Sequence, residues 1–120
     1  ILQLNIALLS NRAHADSFVA FDFKNSLGIT FMQAIPTLKP FLVSGNIEHK
    51  FIVHIELPPL VPDKYYVSAW VGAHNLDTSD FITEAVSFDI IQSPTPGRSF
   101  PHTHDHGMIV PISYLSVDKK

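Results

Sequence analysis

Apolar and polar residues alternate over short stretches of this chain, and the alternation breaks at proline, glycine or asparagine about every ten to fifteen residues. The clearest case is FVAFDFK, residues 18–24, with Val19, Phe21 and Phe23 on one face and Ala20, Asp22 and Lys24 on the other. NSLG then offers turn chemistry and ITFMQ a short strand, so residues 18–33 read as a hairpin. In IEHKFIVHIEL, Phe51, Val53, Ile55 and Leu57 point inward, and Glu48, Lys50, His54 and Glu56 outward. Ile52 alone interrupts the polar face.

The remaining segments follow the same rule. ILQLNIALL is a first strand and SNRAHADS a polar turn, while AIPTLKPFLVSGN, with two prolines, is an irregular crossing. PPLVPD ends one strand and KYYVSAWVGAH begins another, with Val67, Ala69 and Val71 on the apolar side and Tyr66, Ser68, Trp70, Gly72 and His74 opposite. NLDTSD reads as a polar loop, AVSFDII as a strand with Val86, Phe88 and Ile90 inward, and residues 92–107 as a long loop. MIVPISYLSV closes the chain as a last strand, with Pro111 marking an edge or a bulge. About seven strands, each with one face to bury, predict an all-β fold, an antiparallel β-sandwich.

Composition narrows the function. One domain spanning 1–120 is expected from 120 residues, and 46% hydrophobic against 16% charged residues supports a folded core. The formal charge of −3, without a basic run, leaves no footprint for nucleic acid or anionic lipid. There is no cysteine, so disulfides, thiolate nucleophiles and cysteine-based zinc fingers are excluded. No apolar run approaches the roughly 20 residues of a membrane helix, and a soluble chain is expected. It opens without an initiator methionine, from which a longer parent polypeptide is expected.

PHTHDHG places His102, His104 and His106 at alternate positions, which on an extended strand would turn three imidazoles to one side, a donor set for zinc, nickel or copper. A fourth ligand is missing, since Asp105 would point the other way, and a solvent-exposed loop is the commoner origin of such a run. A cupin needs a glutamate and a further histidine downstream, and the 14 residues after His106 hold neither. Phosphate-binding loops, dinucleotide turns and nucleophile elbows are absent as motifs. Asp77, Asp80 and Glu84 could mimic a glycosidase carboxylate pair, but a solvated acidic turn explains them better. A noncatalytic domain is therefore expected. Tyr66 and Trp70 on one strand face, with Ser68, His74, Asn75 and Asp77 nearby, suit a sugar, whose C–H face stacks on rings while its hydroxyls bond to polar groups.

The run IELPPLVPDKYYVSAWV, followed by LDTSDFITEAVSFDII, resembles the C-terminal domain of the ATP-binding subunit of O-antigen polysaccharide ABC transporters (the Wzt type). The matching positions are residues 57–60, Pro62, Tyr65, Val67 and Ser68, then Ala85, Phe88 and Ile90, and VAFDFKNSLGITF is similar to the family's hairpin. The similarity covers most of residues 15–115. Asp63 stands where the family has glycine, and SPTPGRSFPHTHDHG is a variable region to which no family role carries over. The resemblance implies an immunoglobulin-like sandwich that binds the exported glycan, often by a feature at its chain end. It further implies a homodimer and a cytoplasmic position beside the transporter's inner-membrane subunit, and the edge expected after Pro111 could help pair the protomers. No cofactor is expected in this segment. ATP and magnesium would belong to a nucleotide-binding domain upstream. The rival readings are a structural or dimerising sandwich and a metal-binding domain built on the histidine loop.

Overall fold

The computed structural model describes residues 1–10, 14–73, 78–98 and 102–117. The alternating stretches become β1 (Leu2–Ser10), β2 (Phe18–Lys24), β3 (Thr30–Ala34), β4 (Ile47–Ile55), β5 (Asp63–Gly72) and β6 (Thr78–Ile90), and His104–His106 form one turn of 3₁₀ helix. All pairings are antiparallel. β1 pairs with β4, and the other four lie in the order β3-β2-β5-β6.

The two sheets share one core, as expected of a β-sandwich. Val19, Phe21 and Phe23 of β2 and Val67 of β5 meet Val53 and Ile55 of β4, with Leu4, Ile6 and Leu8 of β1 and Phe51 packed around them. The residues of β2, β4 and β5 are the inward positions expected from the alternation, because a period of two sends every second side chain to one face. Leu42, from the irregular crossing, joins the same cluster, and the crossing is held by Ser17, whose carbonyl accepts from the amides of both Phe41 and Leu42 at 2.9 Å.

A second cluster closes one end of the molecule. Tyr65 is fully buried among Leu60, Val61 and Met108. Its ring stacks on Phe88 at 5.5 Å and tilts against Phe31 at 5.5 Å. Its hydroxyl donates to the Val61 carbonyl at 2.5 Å, four residues back along the chain. The same segment receives the C-terminal chain, where Val61 N–H donates to the Met108 carbonyl at 2.9 Å and Val110 N–H to that of Pro59 at 2.7 Å.

The β2–β3 turn is built on Asn25. Its side-chain oxygen accepts from the Leu27 and Ile29 amides, both at 3.0 Å, and Gly28 takes the left-handed φ of 78° that the turn needs. Asp63 accepts from Ser26 N–H at 3.2 Å and Ser26 Oγ–H at 2.9 Å, tying this turn to the start of β5.

Three expectations are corrected. Six strands are present among the described residues rather than about seven. MIVPISYLSV is no strand: Ile109 makes a single bridge to Leu60, and residues 111–117 lie exposed with no strand partner among the described residues. Proline explains the break, since Pro111 has no amide to donate and faces a stretch holding Pro58 and Pro59. β6 starts at Thr78, inside the stretch read as a polar loop.

Replacing Tyr65 by Phe keeps the ring packing but leaves the buried Val61 carbonyl unpaired, so a loss of about 1–3 kcal/mol is expected in urea unfolding at neutral pH. Burial, with the negative charge of Asp63 adding to it, pushes the Tyr65 hydroxyl up from 10.0 to about 12. The folded protein therefore holds this proton more tightly than the unfolded chain, and its contribution, complete below pH 10.0, is lost as pH rises toward about 12. Unfolding curves across that window should show this alkaline loss in the wild type and its absence in Tyr65→Phe.

Candidate functional site

β5 is the inner strand on which the sequence-predicted platform sits, hydrogen-bonded to β2 on one side and β6 on the other. Tyr66 lies between Lys24 and Ser87, and Trp70 between Ala20 and Phe81. Both are half-buried, and neither belongs to the core between the sheets. Trp70 is braced edge-on by Phe18, with ring centroids 5.5 Å apart and planes at 68°. The Lys64 ammonium stands 5.9 Å from the centre of the Tyr66 ring. Four residues at ~3.3 Å each separate the two rings by ~13 Å along the strand, the span of a short oligosaccharide.

Ser68, between them, has a different part. The β5–β6 register shifts here: Val67 faces Val86 and Ala69 faces Ile82, so residues 83–85 bulge opposite Ser68. Glu84 takes a left-handed φ of 51°, and its amide donates to Ser68 Oγ at 3.0 Å. With only 1% of its surface exposed, Ser68 plugs the bulge and offers no hydroxyl to a surface ligand, which corrects its assignment as a glycan partner. His74, Asn75 and Asp77 lie outside the described residues.

The neighbouring strands add residues that the sequence reading did not select. Asp22 and Gln33 share a cross-strand row with Ser68, and Ser87 and Phe81 flank the two aromatics. Phe81 is about half exposed beside Trp70. The alternation of FVAFDFK already placed Asp22 on the polar side, but only the β2–β5 register puts it next to the platform. A separate open hollow of about 400 Å³ lies on the smaller sheet, lined by Asn5, Ile6, Ala7, Lys50, Phe51 and Ile52, and takes in none of the predicted residues.

The histidine loop is not extended. Residues 104–106 form a 3₁₀ turn, so the backbone here lacks the extended conformation on which a shared face of the histidines was argued. Arg98 Nη1 donates to His102 Nδ1 at 2.6 Å, which fixes the proton on Nε2, and Nε2–H donates to Ser93 Oγ at 2.7 Å. Ser93 in turn contacts the Thr95 carbonyl at 3.2 Å and its hydroxyl at 3.1 Å. In this tautomer His102 turns no lone pair toward Ser93 and cannot act as its base, and both ring nitrogens are engaged. Among the described residues no group of three or more metal-ligating side chains converges. No helix among them is long and apolar enough to cross a membrane.

No protein-family model, curated protein or solved structure matches the chain.

Loss of water around the ring, and then the adjacent Arg98 charge, hold His102 below its ordinary value of 6.5. The clasp joining Ser93, His102 and Arg98 is thus fully formed above pH 6.5 and is lost as pH falls through the lowered value, where a protonated ring can no longer accept from Arg98. A histidine NMR titration should place His102 below 6.5, and Arg98→Gln should move it upward. A midpoint at or above 6.5 in the wild type would contradict this arrangement.

Proposed function

We propose that this chain is a noncatalytic carbohydrate-binding domain that selects a polysaccharide for export, in the manner of the C-terminal domains of O-antigen ABC transporter ATP-binding subunits. One observation carries the reading: Tyr66 and Trp70 stand on the same face of the four-stranded sheet, outside the shared core, with Phe81, Asp22 and Ser87 beside them. Rings spaced along a strand stack on successive sugar faces, and the carboxylate and hydroxyl bind sugar hydroxyls.

The immunoglobulin-like assignment belongs to the same proposal. The order β3-β2-β5-β6 opposite β1-β4 corresponds to the C′-C-F-G strands facing B-E in a variable-type sandwich. Tyr65 sits near the start of the strand equivalent to F and bonds back to Val61, as the tyrosine corner of such sandwiches does.

In this reading the domain works on the cytoplasmic side of the inner membrane, beside the transporter's membrane subunit, while ATP and magnesium act in a nucleotide-binding domain upstream. Each sugar hydroxyl bonded at an open site adds only about 1 kcal/mol net, so recognition of a few residues gives affinities in roughly the micromolar to millimolar range. Two domains in a homodimer raise the avidity. Weak contacts suit a checkpoint, since the cargo must leave.

The test is an NMR titration with O-antigen polysaccharide carrying its native chain end, repeated after that end is removed. Shifts around Tyr66 and Trp70 that need the intact end are expected. Trp70→Ala should weaken binding about tenfold, a loss of ~1.4 kcal/mol, and Ser68→Ala, at a buried position, should leave the affinity of the folded protein unchanged. A folded Trp70→Ala variant of unaltered affinity would overturn the platform.

A further inference from the structure

A second serine–histidine pair lies at the end of the smaller sheet, with its protons arranged the opposite way to those of Ser93 and His102. β1 ends at Ser10, and His14 Nε2 stands 2.7 Å from Ser10 Oγ. His14 Nδ1 is 2.7 Å from the carbonyl oxygen of its neighbour Ala15. A carbonyl can only accept, so Nδ1 carries the proton, and in the neutral ring Nε2 turns its lone pair to the Ser10 hydroxyl. Ser10 therefore donates to its histidine, which is the arrangement a nucleophilic serine needs.

The orienting carbonyl is itself held in place. Ser17 Oγ–H donates to it at 2.8 Å, and Ser17 has only 1% of its surface exposed. Three backbone bonds tie Ser17 to the irregular crossing: its amide donates to the Leu42 carbonyl at 3.0 Å, and its carbonyl accepts from the Phe41 and Leu42 amides at 2.9 Å. The relay from Ser10 through His14 and Ala15 to Ser17 thus ends against Leu42 of the core, which keeps the imidazole from turning away.

Access to the hydroxyl is narrow but open. Ser10 keeps 8% of its surface and His14 is half-buried. Leu8 precedes Ser10 on the inward face of β1, and Ile47 of β4, 42% exposed, lies opposite it. These surroundings suit a small, uncharged acyl group.

We infer that Ser10 is a nucleophile, with His14 as its base, that takes the acyl group of small carboxylic esters. Ser10 Oγ adds to the ester carbonyl carbon as its proton passes to His14 Nε2. The C–O bond to the alcohol breaks, the alcohol leaves with that proton, and the acyl group stays on Oγ. Water then adds to the acyl carbon and gives its proton to Nε2, the carboxylic acid leaves, and Oγ recovers the proton. Esters rather than amides follow from the third member, because a neutral carbonyl steadies the imidazolium less than a carboxylate would, and the leaving group must depart easily. The glycan reading assigns no reaction to the outer face of the larger sheet. This reaction belongs to the other sheet and is measured without sugar.

The 120-residue chain, incubated at neutral pH with a fluorophosphonate that labels activated serines, should carry the label on Ser10 and not on Ser93 in peptide mass spectrometry. Ser93 is the internal comparison, since His102 offers it no lone pair. With 4-nitrophenyl acetate, acetyl-Ser10 should form as 4-nitrophenol is released, and His14→Gln should slow this at least about a hundredfold with urea unfolding unchanged. Should His14→Gln fail to fold, the contrast of Ser10 with Ser93 in the wild type decides. Label absent from Ser10, or shared equally with Ser93, would overturn the inference, as would a folded His14→Gln chain acetylated at the wild-type rate.

Discussion

The hydrogen bond from the buried Tyr65 hydroxyl to the Val61 carbonyl is the constraint on which the arrangement of this molecule depends. It locks the proline-rich turn between β4 and β5 into one shape. The backbone groups of Pro59 and Val61 are then free to hold Met108 and Val110. The ring meanwhile joins Phe31 of β3 to Phe88 of β6, the two outer strands of the larger sheet. A phenylalanine there would keep the hydrophobic contacts and lose the bond that holds the turn to the ring. One residue thus fixes where β5 begins, and so which side chains β5 turns to each face.

From that starting point the candidate site follows by parity. With Tyr65 inward, Tyr66 and Trp70 must face outward, and the antiparallel register with β2 and β6 chooses their neighbours. The bulge opposite Ser68 interrupts the pattern without reversing it. Its inserted residues would leave the Glu84 amide unpaired inside the sheet, and the Ser68 hydroxyl replaces the missing ladder acceptor. A residue chosen for its sugar-binding chemistry turns out to satisfy the backbone instead.

Much of the fold was legible because strand alternation is a local signal. FVAFDFK and IEHKFIVHIEL each state their own inward face; the first buried the three residues it named, and the second buried Val53 and Ile55 with Phe51 and Leu57 half-buried against the core. What failed depended on partners distant in sequence. MIVPISYLSV has the composition of a strand, but whether it becomes one depends on an edge with amide donors, and prolines stand on both sides of the junction. The start of β6 was hidden because Thr78, Ser79 and Asp80 read as a loop unless β5 is known to lie beside them. The spacing of the histidines left both an exposed loop and a metal face open, because spacing carries geometry only when the conformation is known, and the backbone at 104–106 is a 3₁₀ turn rather than an extended strand. The shared face of Tyr66 and Trp70 was the reverse case, since it required only that one strand be extended.

The bulge at Glu84 also has a bearing on how this protein behaves in crowded solution. β6 is an edge strand of 13 residues with Phe81, Ile82 and Val86 exposed, a composition that invites open-ended stacking into fibrils. The inserted residues divide that edge into runs of about five, shorter than the six or seven that a steric zipper requires, and set a carboxylate at the break. Polymerisation along this side of the molecule is thereby discouraged by a single irregularity in the backbone.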